Sequence, residues 1–137
     1  MTRIFNRKQL IAEYQTFLLE TGLTAEQVIL SAGGACVLYN IRCDTVDLDL
    51  DVPAGFYSDL KRSAQYPVQQ TELGECILYS DSYTLHVGAA DTKTCMVDGV
   101  CLYNPQALYD QKLRLNREKD QDDLRYLKPL VEEPACS

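Results

Sequence analysis

The chain has no tryptophan, a single histidine and no apolar run close to the ~20 residues of a membrane span, so a membrane protein of helical type is not expected. Six cysteines occur, but none are spaced C-x-x-C, and His86 is the only imidazole. Structural zinc sites draw on such pairs and on histidines, so zinc is not expected. Nor are disulfide staples required, because 137 residues can bury most of their chain surface in one domain. Cys36, Cys76 and Cys101 sit among apolar neighbours, as buried free thiols do. Positive charge is also scarce. Thirteen Lys and Arg face twenty Asp and Glu, for a net charge of −7. That balance argues against general DNA binding, which draws on displaced counterions, while leaving room for a local basic patch around a phosphorylated ligand. Met1–Asn6 lacks the apolar core of a signal peptide, and a cytoplasmic location is expected. Repeats, low-complexity segments and linkers are absent, so residues 1–137 read as one domain.

What is present centres on Thr45-Val-Asp47-Leu-Asp49-Leu-Asp51-Val52. The segment alternates strictly. As one strand it sets Thr45, Asp47, Asp49 and Asp51 on one face and Val46, Leu48, Leu50 and Val52 on the other. Neighbouring carboxylates would then lie roughly 7 Å apart, and aligned like charges call for a neutralising partner. A divalent cation is one answer, since hard cations take carboxylate oxygens. A wet, half-exposed acidic face is the other.

The flanking pattern mixes helices and strands. Asn6–Gly22 reads as a helix with an Asn6 cap, a Gln9 capping-box partner and a glycine stop, with Leu10, Ile11, Tyr14, Phe17 and Leu18 inward. Val28–Ser31 reads as a buried strand, Gly33-Gly34 as a tight turn, and Ala35–Asn40 as a short helix. Backbone N–H groups beside such a turn can receive an anion. Pro53 ends the acidic strand and opens a helix over 54–64. Extended segments follow at 68–71, 76–80, 83–87 and 100–103, the last after an Asp98-Gly99 hairpin signal. Asn104-Pro105 caps another helix, and a second covers 119–131 with Leu124, Tyr126 and Leu127 inward. Residues 132–137 read as a frayed tail. The expected class is α+β: an N-terminal helix (1–22), a sheet core (28–103) and C-terminal helices (104–131).

Ser31-Ala-Gly33-Gly34-Ala followed by Arg42-x-x-Thr45-x-Asp47-Leu-Asp49-Leu resembles the signature of the nucleotidyltransferase (polymerase-beta-like) superfamily. Its closest flavour is the small nucleotidyltransferases related to the AbiEii toxin family. The run Leu108-x-x-x-Lys112-Leu, then Arg117-x-Lys119-Asp120-x-x-Asp123-Leu124, is similar to that group's helical segment. The resemblance implies a small mixed sheet flanked by helices. It implies Mg²⁺ (or Mn²⁺) on Asp47 and Asp49, and nucleotide contacts from Ser31, Gly33, Gly34, Thr45 and Lys112. Arg42 and Thr45 would either support the strand or touch phosphate. The implied reaction moves a nucleoside monophosphate from an NTP to a hydroxyl of RNA, a protein or a small molecule. Asp51 lies outside the two-acid core and is expected to be solvated.

The pattern departs from the family at one place. A third carboxylate is expected on a later strand beside Asp49, and Tyr83–Val87 offers only Thr84 and His86. His86 can act there as base or ligand, or be an ordinary strand histidine. Lys112, Arg114, Arg117 and Lys119 can likewise form a solvated, ion-paired face. The missing acid motivates an alternative reading: a catalytically degenerate binding module, antitoxin-like, antidefence or inhibitory, that engages a protein partner.

Overall fold

The computed structural model describes residues 4–72, 74–88 and 91–132. Of the tail expected at 132–137, Glu132 ends the last helix instead, and 133–137 lie outside the described residues. In chain order the elements are β1 (Phe5–Asn6), α1 (Arg7–Thr21), β2 (Ile29–Ser31), α2 (Ala32–Leu38), β3 (Asp44–Thr45) and β4 (Leu48–Val52). Then come α3 (Ala54–Ser63), β5 (Val68–Thr71), β6 (Gly74–Leu78), β7 (Tyr83–Val87), β8 (Thr94–Val97) and β9 (Val100–Tyr103). The C-terminal part holds α4 (Pro105–Leu115) and α5 (Gln121–Glu132). No helix among the described residues is long and apolar enough to cross a membrane.

Local signals account for most boundaries. The Asn6 side chain accepts from the Gln9 N–H at 2.9 Å while Gln9 Oε1 accepts from the Asn6 N–H at 3.0 Å, closing the expected capping box. Gly22 ends α1 in the left-handed region at φ +75°, where a β-carbon would be strained. Asn104 caps α4 ahead of Pro105. Asp98 and Gly99 both take positive φ in the turn that joins β8 to β9, the geometry of a two-residue hairpin.

Among the described residues, seven strands form a mixed sheet in the order β5-β6-β7-β4-β2-β9-β8. β4 runs antiparallel to β2 and parallel to β7. One face carries Leu30, Leu48, Leu50, Ile77, Leu85 and Leu102, each completely buried. Leu10, Tyr14 and Phe17 of α1 and Tyr57 of α3 belong to the same core. Burying such side chains is worth about 1.5–3 kcal/mol each and supplies the main stabilisation. The mixed sheet flanked by helices, with further helices at the C-terminus, agrees with the expected α+β class.

Several expectations need correction. The acidic segment is not one strand. Thr45 belongs to β3, which pairs with β1 (Phe5 opposite Thr45), and the chain bends at Val46-Asp47 before β4 begins. Val46 is therefore 49% exposed instead of sharing a core face with Leu48. Gly33-Gly34 is not a turn but the first turn of α2, which starts at Ala32 rather than at Ala35. The left-handed backbone expected of the glycines falls on Ala32, at φ +55°. The strand expected at 76–80 lies at 74–78, and α5 starts at Gln121 after a 3-10 turn over Glu118–Asp120. Tyr126 points outward, 56% exposed, because Leu124 and Leu127 occupy the inward stripe of α5.

Candidate functional site

The polar face of the sheet opens on a cleft of about 820 Å³. One wall is acidic. Asp47, just before β4, and Asp49, within it, both line the cleft. Asp47's carboxyl sits above the ordinary aspartate range, first because of burial and then because of the charge on Asp49. The cleft thus holds two neighbouring carboxylates, with the charges of Lys119 and Arg42 opposing the rise. Thr45, also on the cleft, donates from its hydroxyl to the Asp47 carbonyl at 3.2 Å and fixes the bend that turns Asp47 inward.

The facing wall is basic. Arg42, Lys112, Arg117 and Lys119 line it. Three of these cations are already held. Arg42 makes a two-point contact with Asp123, Nε at 3.0 Å and Nη2 at 2.5 Å. Lys112 is only 2% exposed and places Nζ 3.2 Å from both Asp120 and Asp123. Arg117 grips Asp120 through Nε at 2.7 Å and Nη2 at 3.1 Å. Lys119 forms no ion pair among the described residues, and its charge acts on Asp47 across the cleft. Sequence reasoning singled out Lys112 as the phosphate contact. The structure gives that ammonium two internal carboxylates, and the exposed Lys119 was not singled out. No local signal marked it, because Arg114 of the same run also forms no ion pair among the described residues, and which cations Asp120 and Asp123 reach depends on the fold.

The other expected nucleotide contacts divide. Gly33 lines the cleft, and a β-carbon there would come within 2.9 Å of Arg42 Nη1 and 3.0 Å of Thr45 Oγ1. Gly34 faces the opposite way: its β-carbon would meet Leu30 Cδ1 at 2.8 Å, so it serves core packing. Ser31 is buried, with its hydroxyl donating to the Asp49 carbonyl at 3.4 Å, which ties β2 to β4.

On β7, Thr84 lies opposite Asp49 and His86 opposite Asp51. No carboxylate occupies either place. His86 is 7% exposed, with Nε2 3.5 Å from Asp49 Oδ1, and neither ring nitrogen has a hydrogen-bond partner among the described residues. Asp51 is a further correction. It is buried, 5% exposed, not solvated, and Oδ2 accepts from the Tyr103 hydroxyl at 2.6 Å. Burial raises its carboxyl above the usual range, against the opposing effects of the Tyr103 bond and the His86 charge.

The donor set bears on metal. Among the described residues, no three His, Cys, Asp or Glu side chains converge as a ready-made metal cluster. Mg²⁺ does not require one, because it is commonly held by one or two carboxylates together with substrate phosphates and water. Asp47 and Asp49 fit that mode. No protein-family model, curated protein or solved structure matches this chain.

Proposed function

We propose that this chain is a Mg²⁺- or Mn²⁺-dependent nucleotidyltransferase that moves a nucleoside monophosphate from an NTP to a hydroxyl acceptor. One observation carries the reading. A cleft large enough for a nucleotide sets two carboxylates, with no ion pair to Lys or Arg among the described residues, against a wall of cations. A metal–triphosphate complex has the complementary charge on both sides, and pockets of 300–1,000 Å³ suit ligands of that size. The motif order, glycines, Arg42, Thr45 and then Asp47 and Asp49, agrees with the resemblance to the small AbiEii-related nucleotidyltransferases.

The roles follow from the contacts. Asp47 and Asp49 would hold the metal, which when bound would neutralise charge on the phosphates. Lys119 is the cation available to meet a phosphate oxygen. Arg42 is oriented by Asp123 and lies against Gly33, where the absence of a side chain lets the guanidinium approach the backbone. Lys112 acts from behind by holding Asp120 and Asp123, and so the wall, in place. Such a site would accelerate transfer by positioning and electrostatics.

Transfer of radiolabel from α-labelled NTPs to cell-extract acceptors, with Mg²⁺ or Mn²⁺, tests the reading. Asp47→Ala and Asp49→Ala are expected to abolish transfer while leaving the fold intact. Lys119→Ala is expected to raise the NTP dissociation constant roughly tenfold, the scale of one charge-assisted contact. Absence of both transfer and NTP binding overturns the proposal.

The register on β7 favours a second reading. With Thr84 and His86 where a third acid is expected, the chain would keep the cleft as a binding module for a protein partner and lack chemistry. Metal and NTP then leave the melting temperature unchanged, whereas a ligand of the native state must raise it.

A further inference from the structure

Beside the cleft, with His86 on the wall common to both, lies a second cavity of about 260 Å³. His86 and Glu72 line both spaces. Asp51, Tyr103, Gln111 and Arg114 complete the working lining of the smaller one. Its volume falls below the roughly 300 Å³ at which pockets for drug-sized ligands begin, so it suits one ring and not a whole nucleotide.

The lining identifies the chemistry. Carboxylate, carboxamide and guanidinium are planar groups with paired donor or acceptor atoms, which suit two adjacent hydroxyls, as an acidic side chain suits ribose hydroxyls in dinucleotide sites. Asp51 is already oriented, because Tyr103 binds Oδ2 and no hydrogen bond among the described residues reaches Oδ1. Gly88 preserves that position: a β-carbon there would stand 2.3 Å from Asp51 Oδ2. Gln111 is held by the Ala32 N–H, which Oε1 accepts at 3.2 Å, so its NH₂ group remains to donate. Two acids against one guanidinium disfavour a phosphorylated ligand. The buried imidazole without hydrogen-bond partners, on the shared wall, is a cost that a hydroxyl ligand would relieve.

We infer that this second cavity binds a single neutral sugar ring through vicinal hydroxyls, and that the ring is the acceptor of the transfer. The acceptor role rests on the nucleotidyltransferase reading; the binding does not. In the transfer, the acceptor oxygen bonds to the α-phosphorus of the NTP. The bond from that phosphorus to the bridging oxygen breaks, pyrophosphate leaves with its electron pair, and the hydroxyl proton passes to water. The ring can belong to a free monosaccharide or to a nucleoside.

Saturation-transfer NMR on the full chain tests the binding. D-Glucose is compared with tetrahydropyran-2-methanol, and adenosine with 2′,3′-dideoxyadenosine. At least one diol ring is expected to give a signal that its control lacks, and which pair responds identifies the source. Asp51→Asn is expected to weaken binding roughly fivefold to tenfold, as loss of a charged hydrogen-bond acceptor does. Arg114→Ala, at an exposed position that does not threaten the fold, is expected to weaken it about threefold. No signal from either diol, signals equal to the controls, or insensitivity to both variants overturns the cavity assignment. Melting-temperature shifts with Mn²⁺ and a non-hydrolysable NTP are read in parallel. NTP binding without ring binding defeats only the cavity assignment, and ring binding without NTP binding defeats the transferase reading and with it the acceptor role, leaving the ring site standing.

Discussion

One pair of acids lines the cleft and another is buried among the cations of its basic wall, and the protein treats the two pairs in opposite ways. Asp120 and Asp123, in the C-terminal helical segment, are buried and shared among Arg42, Lys112 and Arg117. Asp47 and Asp49 have no ion pair with Lys or Arg among the described residues, and Asp47 is left with a raised carboxyl. The first arrangement is closed: each charge has a partner and removing one strands the rest. The second is open and carries a deficit of positive charge. An internally neutralised cluster is architecture, whereas a deficit kept beside a large cleft invites a cationic ligand. The difference separates the two acidic motifs by role even though both read as acids at short spacing.

The largest effect is expected where the closed group is broken. Asp123→Ala leaves Lys112 buried with one acid fewer and releases Arg42, and a loss of about 3–5 kcal/mol is expected in urea unfolding. Retention of wild-type stability would mean that the network is solvated and that the contrast with Asp47 and Asp49 fails. Asp120 carries the pH signature. Burial opposes its charge, but the Arg117 bond and the Lys112 charge prevail, so its carboxyl lies below the ordinary value of 3.8. A lowered folded value gives stability that is present above the ordinary range and lost as pH falls through the lowered value. Asp120→Asn should therefore be less stable than wild type at pH 7, with the gap narrowing only in strong acid.

The next effect addresses the open group directly. Mn²⁺ at a hundred times its dissociation constant should stabilise the native state by about 2.7 kcal/mol, read as a rise in melting temperature. The rise should vanish in Asp47→Ala and in Asp49→Ala and persist in Arg114→Ala. An equal rise in the acid variants would locate the metal elsewhere.

Gly33 stands where the two groups meet, between Arg42 of one and Thr45 of the other. Gly33→Ala is expected to cost about 1–2 kcal/mol through overpacking and to weaken NTP binding as well. Gly34→Ala presses on Leu30 and Leu10, so it should lower stability without a separate effect on binding.

The smallest effect has the opposite sign to Asp120. Asp47's raised carboxyl contributes stability only below its unfolded value, and that contribution is lost as pH rises through the folded value. Metal-free Asp47→Asn should thus be slightly more stable than wild type at pH 7. The advantage should disappear when pH falls below the ordinary aspartate range, as followed by thermal unfolding in EDTA.

Much of the frame was legible in the residues themselves. The Asn6 and Asn104 caps, the Gly22 stop, the Asp98-Gly99 hairpin and the leucines of the acidic segment are local signals, and they determine helices, strands and the core face through short-range hydrogen bonding and periodicity. The nearness of Asp47 and Asp49 is of the same kind, because two residues on one chain cannot move far apart. What only the tertiary structure decided depends on distant partners. The bend at Val46 arises because β3 pairs with β1 while β4 pairs with β2 and β7. Asp51 is buried because Tyr103, 52 residues away, binds it. Lys112 is held inward because Asp120 and Asp123 fold back onto it, and the exposed Lys119 stays outside that network with its charge acting on Asp47. Charge type is written in a sequence, but whether a charge is satisfied depends on which neighbours the fold brings within about 4 Å, and that is a long-range property.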